Sequence, residues 1–181
     1  MIAPTTTTLA RTLELKAETR DAIRSLDGRI DWGQPPSVPS LIWFGKADWA
    51  VVVELDGQLA SHVGIVQREI MIGGAPLVVA GITGVMTEPR LQGRGYATLA
   101  LQRATEFITR SLDVPLALLT CLEHRRTFYE GQGWKVIPNR VICDQPEGKA
   151  ELTVPGRLMM ALEMRGESFP ISEIDLRGLP W

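Results

Sequence analysis

At 181 residues, 45% of them hydrophobic and 22% charged, the chain is long enough for one globular domain with a sizeable core and short for two, so a single domain over 1–181 is expected. The 19 Lys and Arg against 21 Asp and Glu leave a formal charge of -2 with no block of five like charges, which argues against a nucleic-acid or membrane-surface partner. Cys121, Cys143, His62 and His124 lack close ligand spacing, so no metal is expected. With no long apolar run after the start, neither a signal peptide nor a spanning helix is expected; the default compartment is the cytoplasm, with both thiols reduced, and the apolar share permits a homodimer.

Leu13, Ala17, Ile23 and Leu26 fall near helical spacing behind a polar start, which predicts an amphipathic helix over about 17–26. The stretch DGRIDWGQPPSVPS is too rich in Gly and Pro for regular structure and reads as a loop able to move; two apolar runs follow, beginning LIWFG and DWAVVVEL. From Trp49 to Thr87 the pattern gives three strands joined by an Asp-Gly turn at 56–57 and a Gly-Gly turn at 73–74, an antiparallel meander. The period then changes. Ala97, Ala100, Leu101, Ala104, Phe107 and Ile108 share one helical face, so a helix is expected over about 95–110. Val114 to Cys121 suits a buried strand beside a parallel neighbour, and EHRRTFYEGQGW a second short helix stopped by Gly131 and Gly133. Two further strand-like runs, WKVIPNRVICD and GRLMMALEM, precede an irregular end at LRGLPW. These elements predict a mixed α/β (α+β) domain whose sheet is mostly antiparallel and flanked by helices. The four threonines at 5–8 are the one low-complexity tract.

The segment RLQGRGYATLAL, Arg90 to Leu101, has a specific physical use. A strand ending near Thr87, a turn holding Gly93 and Gly95, and then a helix would aim the helix's first unpaired N–H groups beyond the strand end. Such a corner favours an anion, above all a phosphate. The glycines allow positive φ or close backbone approach, and Arg94 adds a charge. The dinucleotide fingerprint GxGxxG fails because Thr98 holds its third glycine position, and no Gly-Lys-Ser or Gly-Lys-Thr follows to make a P-loop.

GVMTEPRLQGRGYATLAL resembles the acetyl-CoA signature of the GCN5-related N-acetyltransferases (GNAT), with Arg90 opening RLQGRG. RRTFYEGQGWKV is similar to the second motif of that family, matching in order at Phe128, Tyr129, Gly133 and Trp134. Within the family, LIWFG, ASHVGIVQREIMIGGAPL and the ending IDLRGLPW resemble the aminoglycoside 2'-N-acetyltransferases, and the middle stretch is similar to nodulation acyltransferases. Two positions depart from the aminoglycoside group. Thr83 stands where that group has a glutamate, and Leu179 where it has an Asp before the terminal Trp.

The resemblance implies acetyl-CoA as cosubstrate, held in a V-shaped cleft between two parallel strands. The main chain of Val85, Met86 and Thr87 would pair with the pantetheine arm, and Gln92, Gly93, Arg94, Gly95, Tyr96 and Ala97 would surround the pyrophosphate. It implies transfer of the acetyl group by direct attack to a primary amine of a small molecule, an aminoglycoside or other aminosugar, which would mark an antibiotic-resistance enzyme. A longer acyl donor and a catalytically silent CoA-binding sensor are the alternatives.

Such a transfer needs a neutral amine, a polarised carbonyl and a proton for the departing thiolate. Tyr129 is the expected proton donor. The base stays open among Glu54, Asp56, Glu69, Glu88, a water chain and the α-carboxylate of Trp181, which would also hold a cationic amine if the tail folds back. Asp27, Asp31 and Asp175, with Thr83 and Trp181, are the expected acceptor contacts. His62 reads as a structural histidine and Cys121 as packing.

Overall fold

A computed structural model of the chain describes residues 4–32, 44–152, 156–166 and 169–181. Most of the Pro-rich loop and of the LIWFG run falls at 33–43, outside the described residues. The strands are β1 (Thr5–Arg11), β2 (Trp49–Leu55), β3 (Gln58–Ile72), β4 (Ala75–Thr87), β5 (Leu116–Leu122), β6 (Lys135–Val136), β7 (Val141–Gln145), β8 (Gly148–Glu151), β9 (Arg157–Glu163) and β10 (Ile174–Asp175). The α-helices are α1 (Ala17–Asp27), α2 (Tyr96–Phe107) and α3 (Arg126–Glu130).

The sheet runs β1-β2-β3-β4-β5-β9-β6, while the far end of β3 takes up β10, then β7 and β8. Every pairing is antiparallel except β4 with β5 and β10 with β7. Both expected hairpins form. Asp56 and Gly57, then Gly73 and Gly74, all have positive φ, as two-residue turns matched to the strand twist require.

Three elements depart from the sequence pattern. β1 is built on the threonine tract, which shows no apolar alternation; its β-branched residues lie outermost, paired from Thr5 opposite Leu55 to Arg11 opposite Trp49. WKVIPNRVICD forms two strands rather than one, because Pro138 lacks the ladder donor and interrupts it between β6 and β7. The chain end is not wholly irregular, since Ile174 and Asp175 pair with both β3 and β7. α2 also runs on into a π-helical turn, Ile108–Leu112, closed by Asp113 in the left-handed region.

Strand alternation divides the core between the two sheet faces. On one face Val51, Val53, Val63, Ile65, Ala117 and Leu119 pack beneath Ala100, Leu101 and Ala104 of α2 and against Tyr129 and Trp134. On the other, Val66, Val79, Leu116 and Leu118 pack against Leu176 and Trp181 of the C-terminal tail, while Ala50 and Val52 take Ile23 of α1. One face thus carries α2 and α3, and the other α1 and the tail.

Candidate active site

β4 and β5 share only two register pairs, Ala80 with Ala117 and Gly81 with Leu118, and beyond them the strands part. Two local features open this fork. Between His62 and Gly64 of β3, β4 advances from Met86 back to Thr83, one residue more than its partner, so β4 carries a bulge centred on Gly84 at φ +54°. A bulge bends its strand and deepens the local twist, which turns β4 away from β5. The indole of Trp181 closes the base of the fork: it lies against Gly81, where any Cβ would overlap it, and its Nε1–H donates to the carbonyl of Leu118 at 3.3 Å. Arg68 fixes the tail by donating to the Leu179 carbonyl at 2.6 Å, with its guanidinium 5.2 Å from the centre of the Trp181 ring.

The fork opens into a cavity of about 760 Å³. Val85, Met86 and Thr87 line it from β4, and Gln92, Gly93, Gly95, Tyr96 and Ala97 line it from the following corner. Gly93 has φ +74° and Gly95, the N-cap of α2, φ +85°, and no side chain caps the helix. The first bond into the helix is Leu99 N–H to Gly95, leaving the preceding N–H groups of the first turn as donors for an anion. Arg94, also expected here, is exposed and does not line the cavity.

Tyr129 lines the cavity from the α3 side, its ring 7% exposed and packed edge-on against Phe128 at 5.0 Å and Trp134 at 6.5 Å. Burial pushes its phenol well above the usual value of 10, so it stays protonated at neutral pH. Cys121 also lines the cavity, and burial raises its thiol to about 11.

Of the residues read as acceptor contacts, Thr83, Asp27, Asp31 and Trp181 line the cavity on the opposite face. Asp175 does not. It sits on β10 beside Met71, five residues along β3 from Val66, the partner of Gly81 at the base of the fork, and so about 17 Å from the fork at strand rise, where its carboxylate pairs with Lys149 and is held below the usual range by that contact. None of Glu54, Asp56, Glu69 and Glu88 reaches the cavity either: Glu69 is paired with Arg177 at 2.5 Å and Glu88 with Arg29 at 2.7 Å. Two cavity residues had no signal in the sequence beyond being basic. They are Arg125 at the start of α3 and Arg157 at the start of β9. His62 lies just behind the lining, its Nδ1 2.8 Å from the Gly84 carbonyl, and burial lowers its pKa from 6.5.

A cleft with unpaired main-chain donors at its glycine corner and a buried, protonated phenol in its wall suits a thioester carried on a diphosphate, and the class so defined is the CoA-dependent acyltransferases. Residues 44–137 match the acetyltransferase (GNAT) domain family, and the chain belongs to that family, whose enzymes draw on acetyl-CoA. The family match does not extend to the narrower aminoglycoside or nodulation likeness.

The fold is similar to that of an acyl-CoA N-acyltransferase from Pseudomonas aeruginosa (TM-score 0.62, 16% identity, covering 88% of this chain and 99% of that one). It is similar also to Escherichia coli ElaA (TM-score 0.63, 14% identity, 88% and 100%). A GNAT family acetyltransferase from Brucella melitensis in complex with acetyl-CoA gives a TM-score of 0.55 at 17% identity, over 93% and 94% of the two chains. No curated protein sequence matches. Among the described residues no helix is long and apolar enough to cross a membrane, and no cluster of His, Cys, Asp and Glu could hold a metal ion.

Proposed function

We propose that this protein moves an acetyl group from acetyl-CoA to a primary amine by direct attack within a ternary complex. The observation that carries the reading is the cavity formed where β4 and β5 part, bordered on one face by the glycine corner and on the other by α1 and the tail. In this reading the pantetheine arm lies along Val85, Met86 and Thr87, and the diphosphate meets the main-chain donors of Gln92 to Ala97. The amine enters from the face of Asp31, Thr83 and Trp181. Its lone pair forms the N–C bond as the C–S bond breaks, and Tyr129 protonates the leaving thiolate. Asp27, Asp31 or a water takes the proton that the amine gives up.

Direct attack is favoured over an acyl-enzyme because a thiol raised to about 11 holds only about one part in ten thousand as thiolate at pH 7. The resemblance to aminoglycoside 2'-N-acetyltransferases suggests an aminosugar, but Thr83 and Leu179 stand where that group has carboxylates, so the resemblance does not fix the acceptor class. A calorimetric titration with acetyl-CoA, followed by thiol release against a panel of amines, tests the proposal. Binding together with amine-dependent release is the expected result. Binding without release for every amine would select a CoA sensor, and release only from longer acyl-CoA thioesters would select a different donor.

A further inference from the structure

We infer that Arg157 receives a carboxylate of the acceptor, so that the amine acetylated belongs to a small molecule bearing both charges, of the amino-acid type. This rests on the transferase reading and adds the acceptor class to it. Arg157 opens β9 opposite Leu122 of β5. On β9, Leu158, Met160 and Leu162 pack beneath α2 and α3, whereas Met159 and Ala161 pack with Trp181 on the other face. Alternation therefore roots Arg157 on the face of Trp181 and α1, away from the start of α2, while its charge still reaches Cys121 and Tyr129 in the cavity wall. Its Nη2 donates to the carbonyl oxygen of Trp32, 2.8 Å away, in the segment that follows α1.

The guanidinium is only partly satisfied there. It carries five N–H donors, and the described structure pairs it with that one neutral carbonyl. Among the described residues no carboxylate lies within ion-pair distance of it, whereas Arg29, Arg126, Arg140 and Arg177 each have one. The adjoining stretches 33–43 and 153–155 contain no Asp or Glu to supply a counter-ion. A half-buried cation without an anion is unfavourable, and burial already lowers the Arg157 pKa. Arg125, exposed at the cavity's edge and without an ion pair among the described residues, adds charge of the same sign.

Across the same cavity stands the opposite sign. The carboxylate of Asp27 accepts from Trp32 Nε1 at 3.1 Å, so one residue, Trp32, joins the basic pole through its carbonyl and the acidic pole through its indole. An acceptor with an ammonium and a carboxylate matches both poles. A polycation without a carboxylate leaves Arg157 unmatched and meets it with repulsion.

The test compares L-amino acids with their amides and their decarboxylated amines. It reads steady-state thiol release, and equilibrium binding to the CoA-saturated protein by calorimetry, for the wild type, Arg157→Gln and Arg157→Lys. The wild type is expected to favour the carboxylate over the amide by about tenfold to a hundredfold, the range for hydrogen bonds to charged groups. Arg157→Gln should bring the two near parity by raising KM for the carboxylate while leaving kcat and acetyl-CoA affinity unchanged, and Arg157→Lys should restore part of the preference. The inference is overturned if the wild type treats amide and carboxylate alike. It is overturned equally if Arg157→Gln weakens acetyl-CoA, or weakens carboxylates and amides to the same degree, since the arginine then serves the cofactor or only braces Trp32. If acetyl-CoA binds but no amine is turned over, the transferase reading fails, and the binding arm still decides the carboxylate preference.

Discussion

The Nδ1 of His62 lies 2.8 Å from the carbonyl oxygen of Gly84, so an imidazole on β3 holds the one surplus residue of the β4 bulge. The bulge leaves that carbonyl outside the regular ladder, and the ring N–H supplies the missing donor. The contact suits a neutral ring with Nδ1 protonated, and burial favours that form by lowering the pKa from 6.5.

A consequence for acid stability follows. The folded protein takes up this proton less readily than the unfolded chain, so the stability His62 contributes is full above about pH 6.5 and declines as pH falls below it. Denaturant midpoints of wild type and His62→Asn, compared between pH 8 and pH 5, are expected to converge toward the acid end. Asn can keep a donor near the Nδ1 position but does not titrate. Parallel profiles would remove His62 from the acid response. At pH 8, His62→Leu should lose about 1–3 kcal/mol, because the Gly84 carbonyl is left without its donor.

The contact of Gly81 with Trp181 predicts a steric coupling. A methyl group at Gly81 would overlap the indole, so Gly81→Ala should destabilise the protein by about 1–3 kcal/mol. In the double variant with Trp181→Ala the overlap disappears, and the two losses should sum to more than the measured total. Thermal or chemical denaturation of the four proteins in the cycle measures this directly. Strict additivity would mean that the tail does not sit in the fork in solution.

Cys121 lines the cavity, yet its thiol is raised to about 11 and its Sγ lies 3.5 Å from the Met160 sulfur. Iodoacetamide at pH 7.5 is accordingly expected to leave activity intact over the time in which a free thiol is fully alkylated. Cys121→Ala should keep kcat within about threefold, the effect of a packing change alone. Loss of turnover in that variant, with an acetylated cysteine found by mass spectrometry in the wild type, would establish an acyl-enzyme instead.

Tyr129→Phe should lower kcat by about tenfold to a hundredfold with little change in acetyl-CoA affinity, as expected for a lost proton donor. The buried phenol stays protonated beyond its ordinary pKa of 10, so the wild-type rate should show no alkaline fall below pH 10 that the variant lacks. Equal rates for the two proteins would take Tyr129 out of the chemistry.

The helical period of α2, the two Gly-containing hairpin turns and the strand-glycine-helix corner were all legible in the sequence, because each is a local pattern with a local cause. β1 was not, since its threonines need only β-branching and a partner, and the partner lies more than 40 residues away in β2. Neither the Gly84 bulge nor the parting of β4 from β5 leaves a local mark, as both depend on register between distant segments. Arg157 reaches the cavity only because β9 pairs with β5, 35 residues earlier at Leu122. Asp175 failed for the same reason in reverse: its charge suited a cationic acceptor, while pairing of β10 with β3 and β7 carries it to Lys149.

A crystal structure of the protein grown with CoA tests the central claim most directly. The account predicts diphosphate oxygens within about 3 Å of main-chain nitrogens between Gln92 and Ala97, which is ordinary hydrogen-bond distance, and the thiol at the fork of β4 and β5 beside Tyr129. Cofactor bound anywhere else, with that corner empty, would contradict it.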